Sequence, residues 1–135
     1  MTFKHLQPPG WAPAKGYANG IAARGTQIYI GGQIGWNAQQ VFETDDFAAQ
    51  ARQALENVVA VLAQAGGRPE HLVRMTWYVV DADEYLGALR EVGRAYRELI
   101  GRHYPAMTAV EVGRLVEPRA RVEIEATAIV PDAHE

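Results

Sequence analysis

Two glutamates two positions apart, Glu123 and Glu125, are the residues best able to do chemistry in this chain of 135 residues. They sit in the run V-E-I-E-A, whose alternation reads as a β-strand. Val122, Ile124 and Ala126 fall on one face, and Glu123, Glu125 and Thr127 on the other. Side chains at i and i+2 of a strand lie roughly 6–7 Å apart. Two carboxylates so placed suit general acid–base work and, beside a sugar platform, glycoside hydrolysis. Same-face glutamates are common in sheets and no sugar platform is evident, so the second use is set aside. Glu125 is expected to make a structural hydrogen bond or ion pair. Glu123 could act on a substrate, or it could pair with Arg114, Arg119 or Arg121.

Other chemistries find no residues. His5, His71, His103 and His134 are widely spaced and lack H-x-H or H-E-x-x-H pairing, so no metal site is expected. The chain has no Ser, which excludes a Ser triad, and no Cys, which excludes thiolate ligands, disulfides and a Cys nucleophile. Lys4 and Lys15 are the only lysines available for a Schiff base, and Lys15 reads as a solvated loop charge.

The elements that must position the glutamates follow from periodicity. Residues 105–126 read as two strands around a Gly/Pro-bearing connection. In the first, Thr108, Val110 and Val112 share one face; Met107, Ala109, Glu111 and Gly113 share the other. Residues 2–6 read as a short edge strand, and Pro8, Pro9, Gly10, Pro13 and Gly16 as an irregular segment. Residues 19–23 and 27–34 read as strands joined in a hairpin at Arg24-Gly25-Thr26. Ile28, Ile30 and Ile34 share one side of the second; Gln27, Tyr29, Gly31 and Gln33 share the other. Thr44-Asp45-Asp46 starts a helix through an N-cap hydroxyl and early acids. Phe47, Ala51, Leu55, Val58, Leu62 and Ala65 follow at helical spacing, and Gly66-Gly67 ends it. Residues 72–80 form a strand with Met75, Trp77 and Val79 opposite Arg74, Thr76 and Tyr78. Asp81 or Asp83 caps a second helix bearing Leu86, Leu89, Val92, Tyr96 and Leu99, which stops near Gly101.

The order is therefore βββαβαββ in one domain spanning residues 1–135. Two amphipathic helices cover one face of such a sheet, not both. The other face is expected to hold Tyr29, Gln33, Tyr78, Glu111, Glu123 and Glu125, a mixture suited to burial against partner subunits. A net charge of -3 with scattered arginines gives no footprint for nucleic acid. No apolar run reaches membrane-spanning length and no secretory signal is apparent, so a cytoplasmic location is expected.

Several segments together carry a family resemblance: G-Y-A-N-G-I at residues 16–21, I-G-G-Q-I-G at 30–35, Q-A-R-Q-A-L-E-N at 50–57, and P-A-M-T-A-V-E-V-G-R-L with V-E-I-E-A. The chain resembles the RidA/YjgF family of reactive-intermediate deaminases over nearly its whole length. The resemblance implies an α+β, chorismate-mutase-like (YjgF-like) fold, with a mixed sheet backed by two helices. It also implies a homotrimer with clefts at the subunit interfaces, and hydrolysis of small imines or enamines without metal or organic cofactor. Glu123 matches the family acid that positions the hydrolytic water, and Tyr17 the cleft tyrosine. Gly31, Gly32, Gln33, Trp36, Arg90, Met107 and Ala109 fall at or beside substrate-binding positions. Gly31 stands where many members have Ser. Met107 stands where deaminases of 2-imino acids have the Arg that clamps the substrate carboxylate. The expectation is thus a deaminase whose substrate is not a simple 2-imino acid, or one whose carboxylate meets another cation, with Arg90 in view. The alternative is a non-catalytic, ligand-binding or protein-interacting trimer that retains the cleft.

Imine hydrolysis needs a water aimed at an electrophilic carbon and a group that carries protons to nitrogen, work suited to a half-buried carboxylate of raised pKa. Tyr17 would shape the cleft, Met107 would form an apolar wall, and the backbone at Gly31 would admit a ligand closely.

Overall fold

The sheet is built around its last strand. In the computed structural model, which describes residues 3–132, the chain runs β1 (Phe3–His5), β2 (Ile21–Ala23), β3 (Thr26–Ile34), α1 (Phe47–Ala63), β4 (Leu72–Val79), α2 (Ala82–Gly87), α3 (Leu89–Leu99), β5 (Ala106–Glu111) and β6 (Val122–Val130). The main sheet has four strands in the order β3-β6-β4-β5. β6 runs antiparallel to both neighbours, and β4 and β5 run parallel. Thr2 and His134, named above in the edge strand and among the histidines, lie outside the described residues.

The expected second helix divides at Ala88, whose backbone (φ -112°, ψ 12°) leaves the helical region. Asp81 caps its first part by accepting from the backbone N–H groups of Asp83 and Glu84. The hairpin expected between β2 and β3 does not form. β2 pairs with β1, while β3 pairs with β6. A strand of three residues can satisfy its backbone on either neighbour, and the sequence pattern does not choose between them.

One face of the sheet is covered. α1 packs on β3 and β6, and α3 packs on α1. The Asp46 carboxylate, rather than the Thr44 hydroxyl, caps α1 by accepting from Ala49 N–H at 2.9 Å; Thr44 Oγ1 accepts from Asp46 N–H. Gly66 (φ 74°) supplies the left-handed residue that ends the helix. Leu55, Val58 and Leu62 bury against Leu72, Met75, Val122 and Ile124, all fully or almost fully excluded from solvent. Each such side chain contributes roughly 1.5–3 kcal/mol by burial. The Gln50 amide lies within this layer. It donates to the carbonyls of Thr44 and Arg119 and accepts from Arg121 N–H, fastening α1 to the approach of β6.

The opposite face has no helix over it among the described residues. It holds Thr76, Tyr78, Thr108, Val110, Glu123, Glu125 and Thr127, with Tyr29 at its edge 72% exposed. Glu111 does not belong there. Register pairs Met107 with Met75, Ala109 with Trp77 and Glu111 with Val79, which turns all three toward the helices. At that rim the Glu111 carboxylate accepts from Ala82 N–H at 2.8 Å, capping the start of α2.

β3 departs from simple alternation. Ile30 lies level with Ala126 and Gln33 with Ile124, so three steps along β3 meet two along β6. The extra residue is a β-bulge at Gly31-Gly32. Beyond it the parity reverses: Gln33 is level with core-facing Ile124, and Ile34 with Glu123. The expectation that Ile34 shares a side with Ile28 and Ile30, and Gln33 with Tyr29, fails for that reason.

Candidate functional site

Glu123 is held where a carboxylate can act. Its neighbours Val122 and Ile124 anchor β6 in the core, so Glu123 must project onto the open face, half-buried. Across the bulge it meets Gly32. A Cβ on Gly32 would overlap the Glu123 carboxylate, so the absent side chain is what makes room for it. The arginines that might neutralise Glu123 are taken elsewhere. Arg119 bonds Asp45 at 3.0 Å and lies over the Phe42 ring. Arg121 grips Glu84 through Nε and Nη2 at 2.8 Å. Among the described residues the Glu123 side chain has no hydrogen bond or ion pair, with Arg114 or any other group.

Glu125, the next residue on that face, is engaged. Tyr78 Oη donates to its carboxylate at 2.6 Å, the structural hydrogen bond expected of it. This bond, with desolvation and the charges of Glu125 and Glu123, raises the Tyr78 pKa; Arg74 opposes the shift. Tyr78 is thereby kept a phenol and a donor. A depression of about 450 Å3 runs beside the pair, bordered by Gly31, Tyr29, Arg74, Thr76, Glu125 and Thr127.

Tyr17, Met107 and Ala109 meet in a different place. They line a cleft of about 390 Å3 on the helix side, between α2–α3 and β4–β5. The loop bearing Tyr17 is fixed to the start of β5: Ala18 N–H donates to the Pro105 carbonyl at 3.0 Å, and Ala18 bridges Ala106. Trp77, Tyr85, Leu89 and Val92 supply much of the apolar wall. The Trp77 indole N–H is buried without an acceptor among the described residues. Tyr96 stacks on Tyr104 with ring centroids 5.3 Å apart and donates to the His103 carbonyl at 2.6 Å. Burial, then the neighbouring Tyr104, pushes the Tyr96 pKa up.

The residues expected to form one site thus fall into two groups on opposite sides of the sheet. Glu123 joins Gly31 and Gly32; Tyr17 joins Met107 and Ala109. Gln33 stays near the first group, donating from its amide to the Gly31 carbonyl at 3.2 Å. Trp36 packs on Phe42 and accepts through its carbonyl from Asn57, and lines neither hollow. Arg90 is exposed on α3 and does not line the cleft of Met107; Arg97 does. The sequence reading overlooked Arg97, although Leu89, Gly93 and Arg97 recur at intervals of four along one helical stripe. No group of three or more potential metal ligands is found among the described residues. No helix among them is long and apolar enough to cross a membrane.

The chain is similar to proteins of one family. A family model described as endoribonuclease L-PSP matches residues 9–130. A RutC family protein of Pasteurella multocida is 36% identical over 105 residues, covering 78% of this chain and 81% of its own length. The 2-iminobutanoate/2-iminopropanoate deaminase of Escherichia coli K12 is 34% identical over 116 residues, 84% of this chain and 86% of that protein. Among solved structures, a protein of unknown function of the conserved Rid family from Yersinia pestis superposes with a TM-score of 0.85 at 28% identity, covering 96% of this chain and all of that one. A member of the YjgF/YER057c/UK114 family from Mycobacterium tuberculosis has a TM-score of 0.64 at 35% identity, covering 85% and 87%.

Proposed function

The chain belongs to the RidA/YjgF family, whose α+β fold with a mixed sheet it has, and from this premise we propose that it is a hydrolytic deaminase of small imines or enamines. The observation that carries the reading is Glu123: an unpaired, half-buried carboxylate held against Gly32 on a face the chain leaves open. In this mechanism Glu123 accepts a proton from a water as the water oxygen bonds to the imine carbon. The C=N π electrons pass to nitrogen, and Glu123 returns that proton to it, giving the neutral carbinolamine. Glu123 then takes the carbinolamine hydroxyl proton and passes it to the amine nitrogen; the oxygen lone pair forms C=O as the C–N bond breaks, and a carbonyl compound and ammonia leave. No electrons are gained or lost overall, so the step requires no redox partner.

The two groups of residues are joined by assembly. A homotrimer would cover the open face, including the exposed Tyr29 and Val110, and would bring Glu123 and Gly31-Gly32 of one protomer toward Tyr17 and Met107 of the next. A closed ring of this kind uses a heterologous interface, in which two different surfaces of the same chain meet. Gly31 leaves its backbone open to a ligand, with no atom near the place of a missing Cβ. Met107 has no donor for a carboxylate and supports a substrate other than a simple 2-imino acid. It also supports the second reading, a trimer that binds a small ligand without converting it.

The test is ammonia release from a panel of imines generated in situ by amino-acid oxidases, comparing wild type with Glu123→Gln. The variant should lose about 10²-fold or more, the scale of a general acid–base group. Turnover unchanged in the variant removes Glu123 from the mechanism. Ligand binding with no turnover on any imine favours the second reading.

A further inference from the structure

Tyr78 stands between the two glutamates of the open face. Register places it directly opposite Glu123, and Thr76 opposite Glu125. Its hydroxyl nonetheless bonds along the diagonal, donating to Glu125 Oε1 at 2.6 Å, while Glu123 has no hydrogen bond among the described residues. Diagonal neighbours of an antiparallel pair lie about 7–8 Å apart, within reach of an aromatic side chain. The charge of Glu123 still acts on the phenol: after the Glu125 bond and desolvation, both carboxylates raise the Tyr78 pKa. Arg74 lies near enough to oppose that shift, yet forms no ion pair with either glutamate among the described residues. Two carboxylates thus compete for one phenolic proton, and the hydroxyl serves only one of them. Gly32 sets which. The Glu123 carboxylate lies in the space of the missing Gly32 Cβ, on the β3 side of β6, whereas Tyr78 approaches from β4 on the other side.

We propose that Tyr78 is a positioning residue for the hydrolysis: by holding Glu125 as a fixed acceptor, it leaves Glu123 as the free base of the pair. In this role it acts through Glu125 and not on the reacting atoms. Two carboxylates about 6–7 Å apart along a strand repel one another and, on flexible stems, can turn to share one proton. An acid engaged in that way cannot serve the attacking water. The bond from Tyr78 takes Glu125 out of this competition, because a hydrogen bond to an ionised acceptor is roughly twice as strong as a neutral one. What the free base does rests on the deaminase reading. The division of the pair into a bonded and an unbonded acid does not.

The experiment is a double-variant cycle on the full chain, with kcat and KM measured separately for ammonia release from the imine that the wild type turns over fastest. Tyr78→Phe keeps the ring and frees Glu125. Its kcat should fall about 10-fold or more, part of the scale of the base itself, with KM within about twofold of wild type. Glu125→Met should cost a similar factor, because the hydroxyl then turns to the acid directly opposite it, Glu123. The double variant Tyr78→Phe/Glu125→Met has neither the donor nor the competing acid, and its kcat should return to within about threefold of wild type. A second readout needs no turnover: nuclear magnetic resonance of the chain isotope-labelled at its glutamate carboxyl carbons, with Glu123 identified by the signal lost in Glu123→Gln. That signal should shift in each single variant and return in the double one, whereas a contact serving stability alone would leave it in place. If one single variant fails to fold, the other and the double variant still complete the comparison. A Tyr78→Phe kcat within about twofold of wild type, a double variant as slow as the slower single one, or a Glu123 signal indifferent to Tyr78→Phe overturns the inference. A wild type that turns over no imine would sink the deaminase reading, while the carboxyl signals would still support or overturn Glu123 as the free acid of the pair.

Discussion

Replacing Gly32 by alanine adds one methyl group and should disable Glu123. The added Cβ would fall in the space of Glu123 Cγ, Cδ and Oε2, so the acid must leave its rotamer. The backbone itself tolerates the change, since Gly32 is not among the positive-φ residues. An alanine in a strand is favoured over glycine by roughly 0.5–1 kcal/mol, and a strained Glu123 rotamer costs about 0.5–1.5 kcal/mol. These terms nearly cancel, so the midpoint of thermal unfolding should move little. Turnover is more sensitive. A misplacement of about 1 Å costs on the order of 10²-fold, equivalent to about 2.7 kcal/mol of barrier. The assay is ammonia release from the best imine of the panel, with unfolding followed in parallel. Gly31→Ala is the comparison, because no atom stands near its missing Cβ; its effect should fall on KM, with Glu123 left in place. If Gly32→Ala acts through Glu123, the double variant with Glu123→Gln should be no slower than Glu123→Gln alone. Full turnover in Gly32→Ala, or losses that multiply in the double variant, would refute the reasoning.

Other outcomes follow from the same geometry. Met107→Arg should introduce or raise hydrolysis of the imine derived from alanine, by supplying the fork that a thioether lacks; efficient wild-type hydrolysis of that imine would contradict this. Tyr78 has a raised pKa in the folded chain, chiefly through its bond to Glu125. Folding therefore favours the phenol: its contribution to stability is complete below the ordinary phenol pKa of about 10 and is lost as pH rises through the raised folded value. Glu125→Gln should lower the pH at which Tyr78 ionises, read by ultraviolet difference absorbance, and an unmoved titration would show that the contact does not form. Leu62→Ala should cost about 2–5 kcal/mol in urea unfolding, as for a buried leucine, because Leu62 is 0% exposed; a loss below 1 kcal/mol would place it outside the core.

The central strand was the most legible part of the chain. The alternation of V-E-I-E-A places Glu123 and Glu125 on the face opposite Ile124, as found. The span of α1 follows from its apolar spacing and from Gly66. Alternation states which residues share a face, however, not which way that face looks. Met107, Ala109 and Glu111 were grouped with Glu123 because Glu111 is charged. In the structure Glu111 reaches the rim, bonds Ala82 N–H, and lets its neighbours face the helices. The bulge was hidden for a related reason: one inserted residue at Gly31-Gly32 reverses every later side chain in β3, and two glycines carry no polarity by which to see it. Arg90 is suggested by the family resemblance alone and lies exposed on α3, off the cleft. Arg97 is selected by helical geometry, since it follows Gly93 by one turn on the stripe that faces the cleft.

A site shared between protomers requires the two groups of residues to act together across a subunit boundary. Glu123→Gln and Tyr17→Ala should each be nearly inactive alone in ammonia release. Mixed under conditions that let subunits exchange, they should recover activity, because roughly a quarter of randomly paired interfaces then carry both wild-type halves. Recovery toward that fraction is the predicted result. No recovery despite demonstrated exchange would contradict a site shared between protomers.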